Sequence, residues 1–555
     1  MNIFDLLTMV GGLALFLYGM KVMGDSLTKM AGSKMAIVLE QLTNNRLSGV
    51  LLGTIVTAII QSSSATTVMV VGFVNSGIMN LSQAVGVIMG ANIGTTVTSW
   101  LLSLTGIQGD AIWVQMLKPS SFAPVIAIVG IILLMVSKDN GKKESIASIM
   151  IGFAVLMFGM ETMSDAVAPL ANNPAFGKAM VAFSNPILGA LVGTMFTMVI
   201  QSSSASVGIL QAFALTGALN YATAIPIIMG QNIGTCGTAL LSSVGASKNG
   251  KRAAMIHLNF NLIGTLIFMV VFYGINSFVP FDFLSHRCTP ADIALIHSLF
   301  NIGSTVVLLP FANMIIDLAL KLIPDRAEAV KKNELESIYI DDRFLRNPGF
   351  VLELCRKKAL DMALEVEDAI NISLNLLKYP YEKQKAKQVK EYEDHIDEYG
   401  RKLQEYLLKL SQRDLSHEDT EYIVIIQHTL KDLEEISDYA RALQKDAHKI
   451  EKKNLQFSDN IRADFEKVLS LVQEILSKTN SVLLNDDIIL SHRIEEIEDD
   501  IHKQKKKLTK HFIKQMQQGN VELELGIIIE NILIKFERIA AHCSNIVFTI
   551  QEIDG

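Results

Sequence analysis

The chain has 555 residues, half of them apolar, with a mean hydropathy of +0.34, too apolar for an ordinary soluble protein of this length. Its formal net charge of −7 is unevenly placed: residues 1–325 hold 14 Lys/Arg against 12 Asp/Glu, and residues 326–555 hold 35 against 44. The acidic second part argues against nucleic acid as a partner, and Cys236, Cys288, Cys355 and Cys543 have neither metal nor redox spacing.

In chain order, apolar spans are expected at 3–23, 80–104, 122–137, 146–168, 222–244, 253–279 and 291–322. The first lacks the basic start of a signal peptide, and a near copy recurs later, so it reads as structural. Two further stretches differ from these spans. Residues 47–77 and 188–217 are uncharged and apolar but carry "QSSS" in the middle, at 61–64 and 201–204. Each arm beside the polar string has about 12–14 residues, or roughly 20 Å of helix. One arm is too short for a hydrocarbon core of about 30 Å, and two together are too long. A re-entrant hairpin with the polar string at its tip fits both limits, provided the tip lies inside protein or beside water.

The two strings belong to a duplication with an offset of 140 residues. Gly12, Gly19, Met20, Met23 and Asp25 match Gly152, Gly159, Met160, Met163 and Asp165. Gly53, Thr54 and Thr57 match Gly193, Thr194 and Thr197, and "GANIGTT" (90–96) matches "GQNIGTC" (230–236). Shared hydropathy explains matched Leu and Ile but not matched Gln-Ser-Ser-Ser. "IHLNFN" (256–261) and "IHSLFN" (296–301) form a weaker repeat at offset 40.

Orientation follows from the basic residues. With the charged second part in the cytoplasm, counting spans backward places Lys248, Lys251 and Arg252 inside, with Lys138, Lys142 and Lys143, and Lys29, Lys34 and Arg46. The outside segments 105–121, 169–187 and 280–290 hold one Lys or Arg each, as the positive-inside rule expects. The first hairpin then enters from the cytoplasm and the second from outside, so the repeats are inverted, an arrangement found in secondary transporters. No Walker-type phosphate loop is present.

From Leu47 to Gly109, and from Ala179 to Ser247, there is no charged residue and no histidine. A ligand at the tips meets only hydroxyls, amides, backbone and helix ends. The half-helix after each tip offers free N–H groups and about half a positive charge. Two such ends offset roughly one negative charge, so a more highly charged oxyanion needs cations from solution. Sodium suits an uncharged, all-oxygen cage, although the same groups could hold sodium with a neutral solute. The competing structural reading is that small polar residues simply join membrane helices. His257 and His297 invite a proton-relay reading; a hydrogen bond to a neighbouring helix is the simpler expectation.

The paired Gln-Ser-Ser-Ser and Asn-Ile-Gly-Thr strings and the His-x-x-Phe-Asn elements resemble the sodium/phosphate cotransporter family, type II, over residues 1 to about 320. The resemblance implies sodium-driven movement of inorganic phosphate by alternating access, with no enzymatic step. It implies a phosphate site at Gln61, Ser62, Ser63, Ser64, Thr66, Asn92, Gln201, Ser202, Ser203, Ser204 and Asn232. It implies sodium at Gln61, Ser64, Thr95, Thr96, Gln201, Ser204 and Thr235. Cys236 stands where the first repeat has Thr96 and is a poor sodium ligand. Alternatives are a phosphate exporter, a transporter of another small oxyanion, or a membrane phosphate sensor. Two symmetric gates argue against the sensor.

The second part resembles a PhoU domain, with breaks near Pro380, 414–416, 454–458, 485–487 and Gly519, and six helices in two three-helix bundles expected. The resemblance implies Glu/Asp-x-x-x-Asp motifs for a divalent or iron-type metal. Glu393/Asp397 and Glu434/Asp438 keep the motif, whereas His502 and Ala541 replace the aspartates opposite Glu498 and Glu537. A solvated acidic face is the competing reading. The expectation is thus an all-α polytopic protein of the cytoplasmic membrane, in contact with lipid and open to homo-oligomerisation. Residues 1–325 form the transport domain (repeat 1 about 1–140, repeat 2 about 141–280, final spans to 325). Residues 326–346 form a linker, and 347–555 a cytoplasmic two-bundle domain.

Overall fold

The computed structural model describes residues 3–32, 38, 43, 45–107, 115–116, 118–137, 141–172, 178, 181–324, 345, 348–413, 415–455, 459–485, 489–518 and 522–554. The linker expected at 326–346, apart from Leu345, and the loop lysines Lys34 and Lys138 lie outside the described residues. The chain divides into two compact units, the first built on Met1–Lys331 and the second on Val351–Gly555. Among the described residues there is no strand, only an isolated bridge between Asn220 and Arg287.

The first unit holds twelve α-helices among its described residues. In chain order they are α1 (Ile3–Ala31), α2 (Arg46–Ile60), α3 (Ser63–Asn75), α4 (Leu81–Ser103), α5 (Pro119–Val136) and α6 (Gly141–Val167). There follow α7 (Pro186–Ile200), α8 (Ser203–Leu215), α9 (Tyr221–Ser242), α10 (Lys248–Phe278), α11 (Pro290–Leu308) and α12 (Ala312–Leu322). Polar caps set several starts: Asn45 with Ser48 opens α2, Asn80 with Gln83 opens α4, and Thr289 with Asp292 opens α11, each as a reciprocal capping box. Six stretches are long and apolar enough to cross a membrane: Ile3–Ala31, Leu81–Gly106, Gly141–Leu170, Tyr221–Ser242, Lys248–Phe278 and Pro290–Leu322. The segment expected at 122–137 forms an 18-residue helix. The span expected at 291–322 is not one smooth helix: a 3₁₀ turn at Leu309–Phe311 breaks it, because Pro310 lacks an N–H and its ring crowds the preceding turn.

The offset of 140 in sequence is an offset in structure. α1, α2, α3 and α4 recur as α6, α7, α8 and α9, and α2 and α7 both have 15 residues, as α3 and α8 both have 13. α1 packs on α6, α2 on α4, and α7 on α9. Glycine permits each approach. A Cβ on Gly53 would lie 2.2 Å from the Val87 carbonyl oxygen, and one on Gly193 2.1 Å from that of Ile227. The α1–α6 contact is reciprocal: Gly12 meets the Gly159 carbonyl while Gly19 meets that of Gly152. The two helices therefore run antiparallel, with equivalent residues exchanging places. Phe16, Met23, Leu156, Met157 and Met160 fill the core beside this crossing.

The second unit holds α13 (Pro348–Lys378), α14 (Lys383–Ser411), α15 (His417–Lys452), α16 (Asp459–Asn485), α17 (Ile489–Gln517) and α18 (Leu523–Asp554), the six helices expected. The breaks at Pro380, 415–416 and 454–455 fall between helices as read; Asp414, 456–458, 486–487 and Gly519 lie outside the described residues. α14 packs on α15, α16 on α17 and α18, and α15 on α18. The Ser373 hydroxyl donates to the Ala440 carbonyl at 2.9 Å, tying α13 to α15. Ile396, Leu403, Leu433 and Ile436 are buried in the first half, and Ile497, Ile501, Phe536 and Ile539 in the second.

Candidate functional site: two interrupted helices

Each Gln-Ser-Ser-Ser string is a helix break of the same construction. α2 closes when the Gln61 N–H donates to the Thr57 carbonyl at 2.8 Å; α7 closes when that of Gln201 donates to Thr197 at 2.7 Å. Gln61 then turns left-handed at φ 58°, ψ 27°, and Gln201 at φ 59°, ψ 20°. Among the described residues, Asn454 alone of the other non-glycines has positive φ. This geometry disfavours an L side chain, so glutamine at both positions points to a need for the side chain. Ser62 and Ser202 next cap the following half-helices, their hydroxyls accepting from the Ala65 and Ala205 N–H groups at 3.2 Å. The N–H groups of Ser63 and Ser64, and of Ser203 and Ser204, open the first turns and have no intrahelical acceptor. Ser63, Ser203 and Ser204 are buried, and Ser64 half-buried.

Hydroxyl pairs pin the two arms of each hairpin. The Thr57 hydroxyl donates to that of Thr66 at 3.0 Å; Thr197 does the same to Ser206 at 2.8 Å. The Thr54 hydroxyl reaches the Gly90 carbonyl at 3.1 Å, and that of Thr194 reaches Gly230 at 3.0 Å, tying the first arms to α4 and α9. The second half-helices cross over: α3 packs on both α4 and α9, and α8 packs on both as well.

Of the other expected residues, Asn92 and Asn232 are buried, and their Nδ2 groups donate to the Ile88 and Ile228 carbonyls at 2.9 and 3.0 Å. Thr95 and Thr235 are buried and bonded to carbonyls one turn back, at 3.0 and 2.9 Å. Thr96 bonds the Ile93 carbonyl at 2.7 Å, whereas the Cys236 thiol accepts from Asn261 Nδ2 at 3.4 Å and lies 3.5 Å from the His257 carbonyl. Cys236 thus faces α10. Of the two histidines, His297 bonds the Ser99 hydroxyl at 2.8 Å, the expected neighbouring-helix contact; His257 Nδ1 is buried with no partner among the described residues. Sequence reasoning missed Thr98. Its hydroxyl donates to Gln61 Oε1 at 2.9 Å, while Gln61 Nε2 donates to the Ala58 carbonyl at 2.5 Å. The repeat could have flagged it, since Thr238 stands 140 residues on.

In the second unit, Asp397, Glu434 and Asp438 line one surface cavity with Lys431 and Glu435, and Arg441 lies 3.9 Å from Glu393. Burial, then the neighbouring Asp438 and Asp394, pushes the Asp397 carboxyl above its usual range; burial and Asp397 do the same to Glu434. Glu393 is raised by burial, against the pull of Arg441. As they stand, no three metal-ligating groups among the described residues converge on one point. The second half is closed differently. Glu537 bonds His502, and also Lys505 at 2.5 Å; Glu498 accepts from Ser544. The substitutions that removed the expected aspartates leave an ion pair in place of an acidic pair.

Comparison with known proteins agrees with this two-part construction. The Na+/Pi-cotransporter family matches residues 15–165 and 156–279, and the PhoU domain matches 359–447 and 465–550. The "Uncharacterized protein YqeW" of Bacillus subtilis is 29% identical over 311 residues, covering 56% of this chain and 95% of its own. The "Putative inorganic phosphate export protein YjbB" of Escherichia coli is 22% identical over 537 residues, covering 94% of both chains. The "Sodium-dependent phosphate transport protein 2A" of Rattus norvegicus is 36% identical over 233 residues, 39% of this chain and 33% of that one. Among solved structures, PhoU from Pseudomonas aeruginosa covers 37% of this chain and 96% of its own, at 22% identity and a TM-score of 0.34.

Proposed function

The chain belongs to the Na+/Pi-cotransporter family and carries a PhoU domain, and from that premise we propose that it is a sodium-coupled secondary transporter of inorganic phosphate in the cytoplasmic membrane. It works by alternating access, and its PhoU unit faces the cytoplasm and regulates it. One observation carries the proposal: two identically built helix breaks, free of fixed charge, whose outgoing half-helices both pack on α4 and α9. Open N–H groups at Ser63, Ser64, Ser203 and Ser204, with the serine hydroxyls, supply donors to phosphate oxygens. The helix ends offset about one negative charge. Sodium brings the balance, held by oxygens of the tips and by Asn92, Thr95, Thr96, Asn232 and Thr235. The reciprocal α1–α6 crossing and the crossed packing of α3 and α8 support reading the repeats as inverted and the hairpins as re-entrant. Alternating access then needs only one repeat to rock on the other, and no covalent step.

Net direction follows the two gradients. The likeness to YjbB, named for phosphate export, makes efflux the second reading. At the PhoU unit, a polyvalent cation would relieve the crowding of Asp397, Glu434 and Asp438, and that cavity is the proposed metal position.

The test is labelled-phosphate flux in proteoliposomes, with sodium on one face, the other, or replaced by choline. Wild type should move phosphate only with sodium present, and Ser63→Ala and Ser203→Ala should each reduce flux at least tenfold. Equal flux in choline would refute sodium coupling. Removing 330–555 should alter regulation and leave coupled flux intact; loss of flux in that properly inserted protein would refute the division of labour.

A further inference from the structure

The two tips are alike in backbone and unlike in side chain. Both polar atoms of the Gln61 amide are engaged by the protein, Oε1 by Thr98 and Nε2 by the Ala58 carbonyl. Gln201 is exposed, and its side chain makes no hydrogen bond among the described residues. Its equivalent of Thr98 is present: Thr238, whose hydroxyl is likewise without a partner among the described residues. The surrounding frame is not the cause. Thr54 to Gly90 and Thr194 to Gly230 measure 3.1 and 3.0 Å. A Cβ on Gly94 would lie 2.6 Å from the Thr54 carbonyl oxygen, and one on Gly234 2.5 Å from that of Thr194. The equivalent contacts of the two helix pairs therefore differ by only 0.1 Å. Thr238 stands at the same step of α9 as Thr98 on α4, so the second clasp has its donor in the equivalent place. A primary amide in an apolar setting is costly to leave without a partner, so the free Gln201 amide belongs beside water or a polar ligand.

We infer that Thr98 and Thr238 are paired positioning residues, each able to clasp its tip glutamine, and that the clasp alternates between the repeats as transport proceeds. In the state seen here the first tip is clasped and withheld from ligand, and the second is free to donate its amide to the anion. In the opposite state the Gln201–Thr238 bond forms and Gln61 is released. This rests on the transport reading above. Each clasp stabilises one state by an ordinary hydrogen bond, so removing it biases the two-state equilibrium about fivefold.

The experiment compares phosphate KM measured from the two faces, using right-side-out and inside-out vesicles carrying the full chain. Thr98→Val should shift the ratio of the two KM values about fivefold in one direction, and Thr238→Val about fivefold in the other. Thr98→Ser and Thr238→Ser keep the hydroxyl and should restore the wild-type ratio. A merely structural role would lower the maximum rate without moving the ratio. An unchanged ratio, shifts of the same sign, or failure of serine to rescue would overturn the inference. Should Thr98→Val fail to insert, Thr238→Val alone decides, since its hydroxyl holds nothing in this state. Wild type that moves no phosphate would instead refute the transport reading itself.

Discussion

Gly90→Ala tests the packing that sets the first tip against α4. An added Cβ would lie 2.0 Å from the Val50 carbonyl oxygen, 2.8 Å from its carbon and 2.9 Å from the Thr54 nitrogen. All three are backbone atoms, so no side-chain rotation relieves the clash. Restoring an ordinary 3.4 Å contact requires a separation of about 1.4 Å between α2 and α4. That would stretch the 3.1 Å Thr54–Gly90 hydrogen bond beyond use. Overpacking of this kind costs about 1–3 kcal/mol and the lost bond about 1 kcal/mol. The better helix propensity of alanine returns about 1 kcal/mol. The net destabilisation is therefore about 1–3 kcal/mol, read as a lowered Tm of the full chain in detergent. Gly230→Ala, 1.9 Å from the Ala190 carbonyl oxygen, should behave alike. Gly11→Ala, with nothing within 4 Å, should be neutral or stabilising. If Gly90→Ala melts with wild type while Gly11→Ala does not, the close-approach reasoning is wrong.

The two halves of the PhoU unit should respond oppositely to pH. The raised carboxyl of Asp397 favours its neutral form in the fold, so its contribution is present in acid and lost as pH rises through the raised value. Asp397→Asn should therefore raise the Tm at neutral pH, with the gain vanishing below the carboxylate range. Burial alone would raise Glu537, but hydrogen bonds from Lys505 and His502 outweigh it and hold the carboxyl below its usual range. Its contribution is present above pH 4.5 and lost as pH falls through the lowered value, so Glu537→Gln should lower the Tm at neutral pH and cost little in acid. Gln61→Gly separates backbone from side chain. Relief of the left-handed residue is worth about 1 kcal/mol against two lost hydrogen bonds of about 1 kcal/mol each. The net loss of stability should therefore be only about 1 kcal/mol, while phosphate flux in proteoliposomes falls at least tenfold.

The repeat was legible because Gly, Gln, Ser and Asn recurred at one offset, where hydropathy alone cannot force identity. The breaks were legible because one arm was too short to cross the hydrocarbon and two arms together were too long. The interruption at Leu309–Phe311 was hidden inside an apolar run, although Pro310 marked it. Thr98 was hidden for another reason. It lies next to the matched Asn-Ile-Gly-Thr string, yet a buried threonine in an apolar helix usually bonds its own backbone one turn back, as Thr95 does. Only the left-handed turn at Gln61 brings an amide oxygen within its reach, and that meeting depends on side-chain direction rather than on spacing. In the PhoU unit the loss of aspartate at 502 and 541 was visible, but the partners that replaced it, Lys505 and Ser544, come from outside the motif.

The reciprocal glycine crossing of α1 and α6 has a consequence for ancestry. A contact that uses one patch twice is the signature of a homodimer. A half-length forebear closing it with a second copy would have needed its two molecules to run antiparallel at this contact. Joining the copies end to end fixes one of each direction at every such contact. It also frees the partners to diverge, so that one glutamine can be held while its twin is let go.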